Sequence, residues 1–175
     1  MKTKTILITG GESGVGAATA RALAAQGHRV LFTCREAEDG AQLCTDITTA
    51  FPRAMVKSYS LDLASFSSIR LLADKLQREY NQIDVLINNA SLAPLTKQKT
   101  RDGFELQFGA NYLGHFLFTQ LLLDVLNEAG RARIVHTSSM MHWLGGVDFG
   151  SFHGDKFYDP IRAYAQSKLA ILLFS

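Results

Sequence analysis

Tyr164 and Lys168 stand four residues apart in Tyr164-Ala165-Gln166-Ser167-Lys168, so on a helix both side chains share one face and point into the same space. A free tyrosine titrates near about pH 10, too high for proton traffic at neutral pH, and an ammonium beside it favours the phenolate and lowers that value. Such a pair is suited to give a proton to a carbonyl oxygen and to take one back from an alcohol. The spacing alone is one that many helices carry by chance, and it acquires meaning only from what surrounds it.

A second group lies near the N-terminus. In Thr9-Gly10-Gly11-Glu12-Ser13-Gly14-Val15-Gly16, glycines permit a tight turn and let backbone N–H groups approach a phosphate. A helix N-terminus following the turn adds roughly half a positive charge. Its place between an apolar strand and a helical pattern is where a nucleotide-binding loop must be.

The elements that must position these groups alternate along the chain. Short apolar runs at residues 5–9, 29–33, 55–61, 83–88 and 133–137 read as strands. Helical patterns cover residues 17–26, closed by Gly27, then 39–50, 67–80 and, from a capping box formed by Asp102 and Glu105, about 102–127; a last helix opens near Ile161. Near-continuous apolar strands separated by amphipathic helices predict an α/β fold, a parallel sheet covered on both faces. Right-handed crossovers make it a Rossmann-type doubly wound sheet of order 3-2-1-4-5, with ligand at the carboxyl ends of the strands. Residues 1–175 read as a single domain without repeat or linker.

Several further residues fall at those strand ends. Thr-Gly-x-x-x-Gly-x-Gly resembles the short-chain dehydrogenase/reductase family, and the resemblance runs through the whole chain. Gly10, Ser13, Gly14, Val15 and Gly16 match its cofactor loop. Asp62-Leu63 ends the third strand, where the family places a residue against adenine, and Asn88-Asn89-Ala90 resembles its Asn-Asn-Ala-Gly, with Ser91 in place of the glycine. The resemblance implies that Asn89 and Ala90 border the nicotinamide side. It implies that Asn111 holds a water on the catalytic lysine, that Ser139 (second of the pair after the fifth strand) orients substrate, and that Tyr164 is the proton donor and acceptor. Lys168 then also binds the nicotinamide ribose, and the positive charge of an oxidised nicotinamide ring further favours the Tyr164 phenolate. Asp102-Gly103-Phe104-Glu105-Leu106, Asn111-Tyr112-Leu113-Gly114-His115-Phe116, Asp155-Lys156-Phe157-Tyr158 and Ser167-Lys168-Leu169-Ala170 resemble the retinol dehydrogenase-like branch and related bacterial oxidoreductases. Part of the asparagine segment is similar to protochlorophyllide reductases too.

Cofactor choice falls to the end of the second strand. An acidic side chain there would accept from a ribose 2′-hydroxyl. This chain has Cys34 and then Arg35, whose guanidinium pairs with phosphate, so NADP(H) is expected, with NAD(H) as the alternative; Glu36 next to it carries the opposing charge.

Composition excludes several other classes. The chain is 47% hydrophobic and 19% charged with a net charge of +2, and its basic residues are scattered, which argues against nucleic acid as partner. Two cysteines within regular elements fit a reducing, cytoplasmic setting better than a disulfide framework. No apolar run is long enough for a membrane span, and the five histidines lack metal-ligand spacing. Met140, Met141, Trp143, Leu144, Phe149, Phe152, Phe157 and Tyr158 after Ser139 either line an apolar pocket or pack their own loop. The expected substrate is a hydrophobic alcohol or carbonyl compound, retinoid-like by resemblance, and the family's habit of pairing helices implies a homodimer or homotetramer. The chain ends seven residues past Lys168, whereas family members continue through two more strands. It therefore reads as a fragment lacking the substrate-covering third, and a catalytically silent nucleotide-binding or interaction module is the alternative function.

Overall fold

The computed structural model describes residues 2–154 and 158–175. Asp155, Lys156 and Phe157, which belong to one of the resembling segments and to the apolar stretch after Ser139, lie outside the described residues. Five parallel strands, β1 (Thr5–Ile8), β2 (Arg29–Cys34), β3 (Met55–Ser60), β4 (Val85–Asn88) and β5 (Arg133–His136), lie in the order β3-β2-β1-β4-β5, as the alternating pattern predicts. The register puts Leu7 beside Leu31 and Leu86, and Ile8 beside Phe32 and Ile87.

Alternation along the strands then sorts the core into two layers. Leu7, Leu31 and Leu86 face α3 (Phe66–Glu79), whose Ile69, Leu72, Ala73 and Leu76 meet them, together with Phe118 of α5 (His115–Leu121) and Leu122. Ile6, Ile8, Val30 and Phe32 face the other way onto Ala20 and Ala24 of α1 (Gly14–Ala25) and Leu43 and Ile47 of α2 (Ala37–Ala50). With both faces covered, the central strands need to be apolar at every position, which is why they read as runs rather than as alternation.

The expected long helix from residue 102 to 127 is replaced by a chain of short pieces. Asp102 does not cap it: its carboxylate accepts from the Phe66 amide at 2.9 Å, at the start of α3. Glu105 is itself the cap, its two oxygens accepting from the amides of Gln107 and Phe108 at 2.9 and 2.7 Å. A single turn α4 (Leu106–Phe108) widens into a π-helical stretch over Gly109–Gly114, then continues as α5 and, past a break at Leu122, as α6 (Leu123–Asn127). β5 leads into 3-10 turns at Met140–Leu144 and Phe149–Ser151 and into α7 (Pro160–Phe174). α7 starts with Asp159 accepting from the Arg162 amide at 2.9 Å and proline in its first turn. Among the described residues no helix is long and apolar enough to cross a membrane.

Candidate active site

The chain leaves β1 through a turn whose shape depends on glycine, as Gly14 and Gly16 show. Gly14 has φ +52°, a left-handed conformation that a side chain disfavours. A Cβ on Gly16 would lie 2.0 Å from the Gly10 carbonyl oxygen, so α1 can pack down on the turn only without one. Ser13 occupies the N-cap position with extended backbone, but its hydroxyl makes no capping bond. The first-turn amides of α1 thus have no side-chain acceptor from the cap residue, the condition in which a helix N-terminus receives an anion.

Those amides border a cavity of about 580 Å³. Gly10, Ser13, Gly14, Val15 and Gly16 line it from the turn, Arg35 from the end of β2, Asp62 and Leu63 from beyond β3, and Asn89 and Ala90 from beyond β4. Parallel strands all end at the same edge, so residues spread over eighty positions of sequence converge there. Glu12 and Arg101 line the same cavity without a signal in the sequence to mark them. Glu12 sits at a spacer position of the glycine motif, and Arg101 has no motif to mark it. Arg101 stands 3.7 Å from the Asp62 carboxylate, which also accepts from the Ala64 amide at 2.9 Å.

Behind the cavity, Thr9 ties β1 to β4. Its hydroxyl oxygen accepts from the amides of Asn89 and Ala90 at 2.9 and 3.0 Å and lies 2.8 Å from Nε2 of the buried His115. His115 Nδ1 is 2.8 Å from the Asn111 carbonyl oxygen. A carbonyl only accepts, so Nδ1 carries the proton, Nε2 accepts from Thr9, and all four atoms are satisfied by a neutral ring. Burial pushes the His115 pKa down to about 4, and the Lys168 charge adds to that.

Asn111, in the π-helical stretch, also lines the cavity. Its side chain is a clamp: Oδ1 accepts from the Leu92 amide at 2.9 Å, while Nδ2 donates to the Leu92 carbonyl at 2.9 Å and to Ser167 Oγ at 3.1 Å. Ser167 in turn donates to the Tyr164 carbonyl at 2.7 Å, so the cavity wall is joined to α7 between Tyr164 and Lys168. Lys168 is buried, and its Nζ lies 5.5 Å from the centre of the Tyr164 ring and donates to the Thr137 carbonyl at 3.1 Å. Burial holds its pKa below the usual lysine range. Ser138 donates to the Lys168 carbonyl at 2.9 Å, fixing the end of β5 against α7. Ser139 follows at the N-cap of the first 3-10 turn, where its hydroxyl accepts from the Met141 amide at 3.3 Å. Ser139, Tyr164 and Lys168 are not in the lining of the 580 Å³ cavity; Tyr164 and Lys168 stand together on α7, and Ser139 follows directly after the Ser138 that bonds to it.

The family profile described as short chain dehydrogenase matches residues 4–175. The chain belongs to the short-chain dehydrogenase family. Within that family it is 43% identical over 173 residues to retinol dehydrogenase 13 of Mus musculus, an alignment covering 98% of this chain and 52% of that protein. Among solved structures, an uncharacterized protein from Mycobacterium paratuberculosis superposes with a TM-score of 0.84 at 40% identity, covering 98% of this chain and 59% of the other. RhlG of Pseudomonas aeruginosa, solved as an NADP active-site complex, gives 0.78 at 25% identity over 99% of this chain and 65% of its own. This short-chain dehydrogenase chain spans about half the length of the curated relatives it matches.

The histidines of this family member are structural. His28 accepts from the Lys4 amide at 3.3 Å, and His142 and His153 lie 2.7 and 3.2 Å from the carbonyls of Ser139 and Gly103. His136, its pKa lowered by burial, lies 3.2 Å from Asn88 Nδ2. Among the described residues no three His, Cys, Asp or Glu side chains gather as a metal site. Of the apolar residues after Ser139, Met140, Trp143, Leu144 and Phe149 are exposed, while Phe152 stacks on Phe108 with ring centres 4.2 Å apart. The segment thus divides between a packed base and an exposed apolar ridge.

Proposed function

We propose that this chain is the dinucleotide-binding and catalytic part of an oxidoreductase that transfers a hydride between NADP(H) and a hydrophobic alcohol or carbonyl compound. The observation that carries the reading is the Asn111–Ser167 link, which joins a cavity suited to a dinucleotide to the helix face bearing Tyr164 and Lys168. The first-turn amides of α1 would hold the pyrophosphate, Arg35 the 2′-phosphate, and Asp62 and Leu63 the adenine side. Asn89 and Ala90 would border the nicotinamide. Bound NADP(H) supplies the hydride, and NAD(H) is the alternative cofactor.

In reduction, the Tyr164 hydroxyl gives its proton to the substrate oxygen, and in oxidation the phenolate takes it back. Ser139, whose oxygen accepts from the Met141 amide, donates its hydroxyl proton in a hydrogen bond to the same oxygen and stabilises charge developing there. Lys168, charged and close to the Tyr164 ring, favours the phenolate and reaches the nicotinamide ribose. Asn111 holds its segment in place and offers the remaining lone pairs of its carbonyl oxygens to a water leading towards Lys168. The likeness to retinol dehydrogenases at 43% identity supports a long apolar substrate, and the exposed ridge at Met140, Trp143 and Leu144 would meet it.

The test is NADPH consumption with a panel of hydrophobic aldehydes and ketones, run on the wild type and on Tyr164→Phe. Turnover of the variant should fall by about 100-fold or more while NADPH binds with nearly unchanged affinity. Equal rates in both proteins would remove Tyr164 as proton donor, and NADPH binding without turnover in the wild type would favour the silent binding module.

A further inference from the structure

Arg35 is not the only charged side chain at the adenosine end of the cavity. Glu12 lines it too, from the glycine turn, between Gly10 and Ser13. One of its carboxylate oxygens, Oε2, is buried without a hydrogen-bond partner among the described residues. A buried acceptor left unmade is costly, and functional sites are where such costs persist. Arg35 does not relieve it: among the described residues no ion pair joins the two, although they line one cavity together with Thr33 and Cys34. The closeness of Glu12 to this corner shows at Cys34, whose thiol is pushed up to about 11, first by burial and then by the Glu12 charge. Glu36, the acid adjacent to Arg35 in sequence, is exposed and does not line the cavity.

We propose that Glu12 is a cofactor-selectivity residue that opposes Arg35: its buried carboxylate oxygen accepts a hydrogen bond from a ribose hydroxyl and repels a 2′-phosphate. The inference rests on the dinucleotide reading of the cavity and adds to it. An ionised carboxylate can only accept, so it suits a 2′-hydroxyl, which has a proton to give, and disfavours a phosphate, which does not. In dinucleotide folds the acid that performs this discrimination stands at the end of the second strand. Here that place holds Arg35, and the acid comes from the glycine turn instead. The two side chains pull the choice in opposite directions, so the chain accepts both NADP(H) and NAD(H), with a preference smaller than Arg35 alone would set.

The test is calorimetric binding of NADPH, NADH, adenosine 2′,5′-bisphosphate and AMP to the wild type, Glu12→Gln and Glu12→Asn. Glutamine keeps the shape and one acceptor oxygen but removes the charge. Glu12→Gln should tighten adenosine 2′,5′-bisphosphate by about fivefold or more and leave AMP within about twofold, and the NADPH-over-NADH preference should rise by the same factor. Glu12→Asn, which keeps a neutral amide on a shorter stem, should give the same direction and guards against a folding defect peculiar to one variant. An unchanged or reduced preference for the 2′-phosphate compounds in both variants, with the wild type binding NADPH normally, would overturn the role of Glu12 and leave the function reading intact. Failure of the wild type to bind any of the four compounds would bring down both.

Discussion

The centre of the sheet and its β5 edge are built differently. β1 is buried at every position and β2 at all but its first, and the glycine turn between β1 and α1 is set by contacts too close for a side chain. At the edge, β5 has Ile134 and Val135 at 39% and 44% exposure, and besides the contact of His136 with the Phe174 ring at 4.8 Å its attachment to the Tyr164 helix runs through polar links, Ser138 to the Lys168 carbonyl and Lys168 to the Thr137 carbonyl. The cofactor half is fixed by close packing, which at Gly16 leaves no room for an added carbon. The catalytic half leans more on hydrogen bonds, each worth about 1 kcal/mol net and replaceable one at a time. Substitutions in the first should therefore act all at once, and substitutions in the second by degrees.

The largest effect belongs to Gly16→Val. Its Cβ would meet the Gly10 carbonyl at 2.0 Å, backbone that cannot swing aside, so the turn must open. We expect a loss of about 4 kcal/mol or more in chemical denaturation together with loss of dinucleotide binding. A variant of normal stability would show that the close packing of this half is not what holds it.

Next is the pH response of His115, which joins the halves through Thr9 and Asn111. Its pKa is about 4 folded against the ordinary 6.5. As pH falls below 6.5, the unfolded chain binds a proton that the folded chain refuses, so the stability present above 6.5 is lost progressively down to about 4. The full loss is about 3 kcal/mol. Denaturation of wild type and His115→Asn at several pH values in that window isolates it from the carboxylates, and parallel curves would contradict the neutral buried ring.

Arg35→Asp probes the exposed rim of the rigid half without disturbing its packing. Preference should move from NADPH towards NADH by about tenfold, read as the ratio of dissociation constants, with stability unchanged. An unaltered ratio would remove Arg35 as the phosphate partner. Smallest of all, Ser138→Ala should cost about 1 kcal/mol and loosen α7, lowering turnover more than NADPH affinity. Equal losses in both would mean that the link serves the whole fold rather than the catalytic end.

How much of this was legible in the sequence follows the same division. Strand order and the convergence of Gly10, Arg35, Asp62, Asn89 and Asn111 on one cavity could be read because buried parallel strands leave continuous apolar runs and their ends must meet. The breakup of the expected 102–127 helix could not, because it depends on tertiary partners. Asp102 spends its carboxylate on Phe66 of a different helix, and Asn111 holds a π-helical stretch by bonding Leu92. The pairing of Thr9 with His115 escapes notice for a similar reason. Their partnership spans 106 positions, and nothing local marks either as polar and buried. Ser139 was legible as a residue at the right strand end, whereas its service as a cap for a 3-10 turn was not.

If the cavity at the carboxyl edge of the sheet is a dinucleotide site selective for the 2′-phosphate, calorimetric titration of NADPH and of NADH into the chain must show it. The structure predicts saturable one-to-one binding of both, tighter for NADPH; no saturable binding, or tighter binding of NADH, would contradict it.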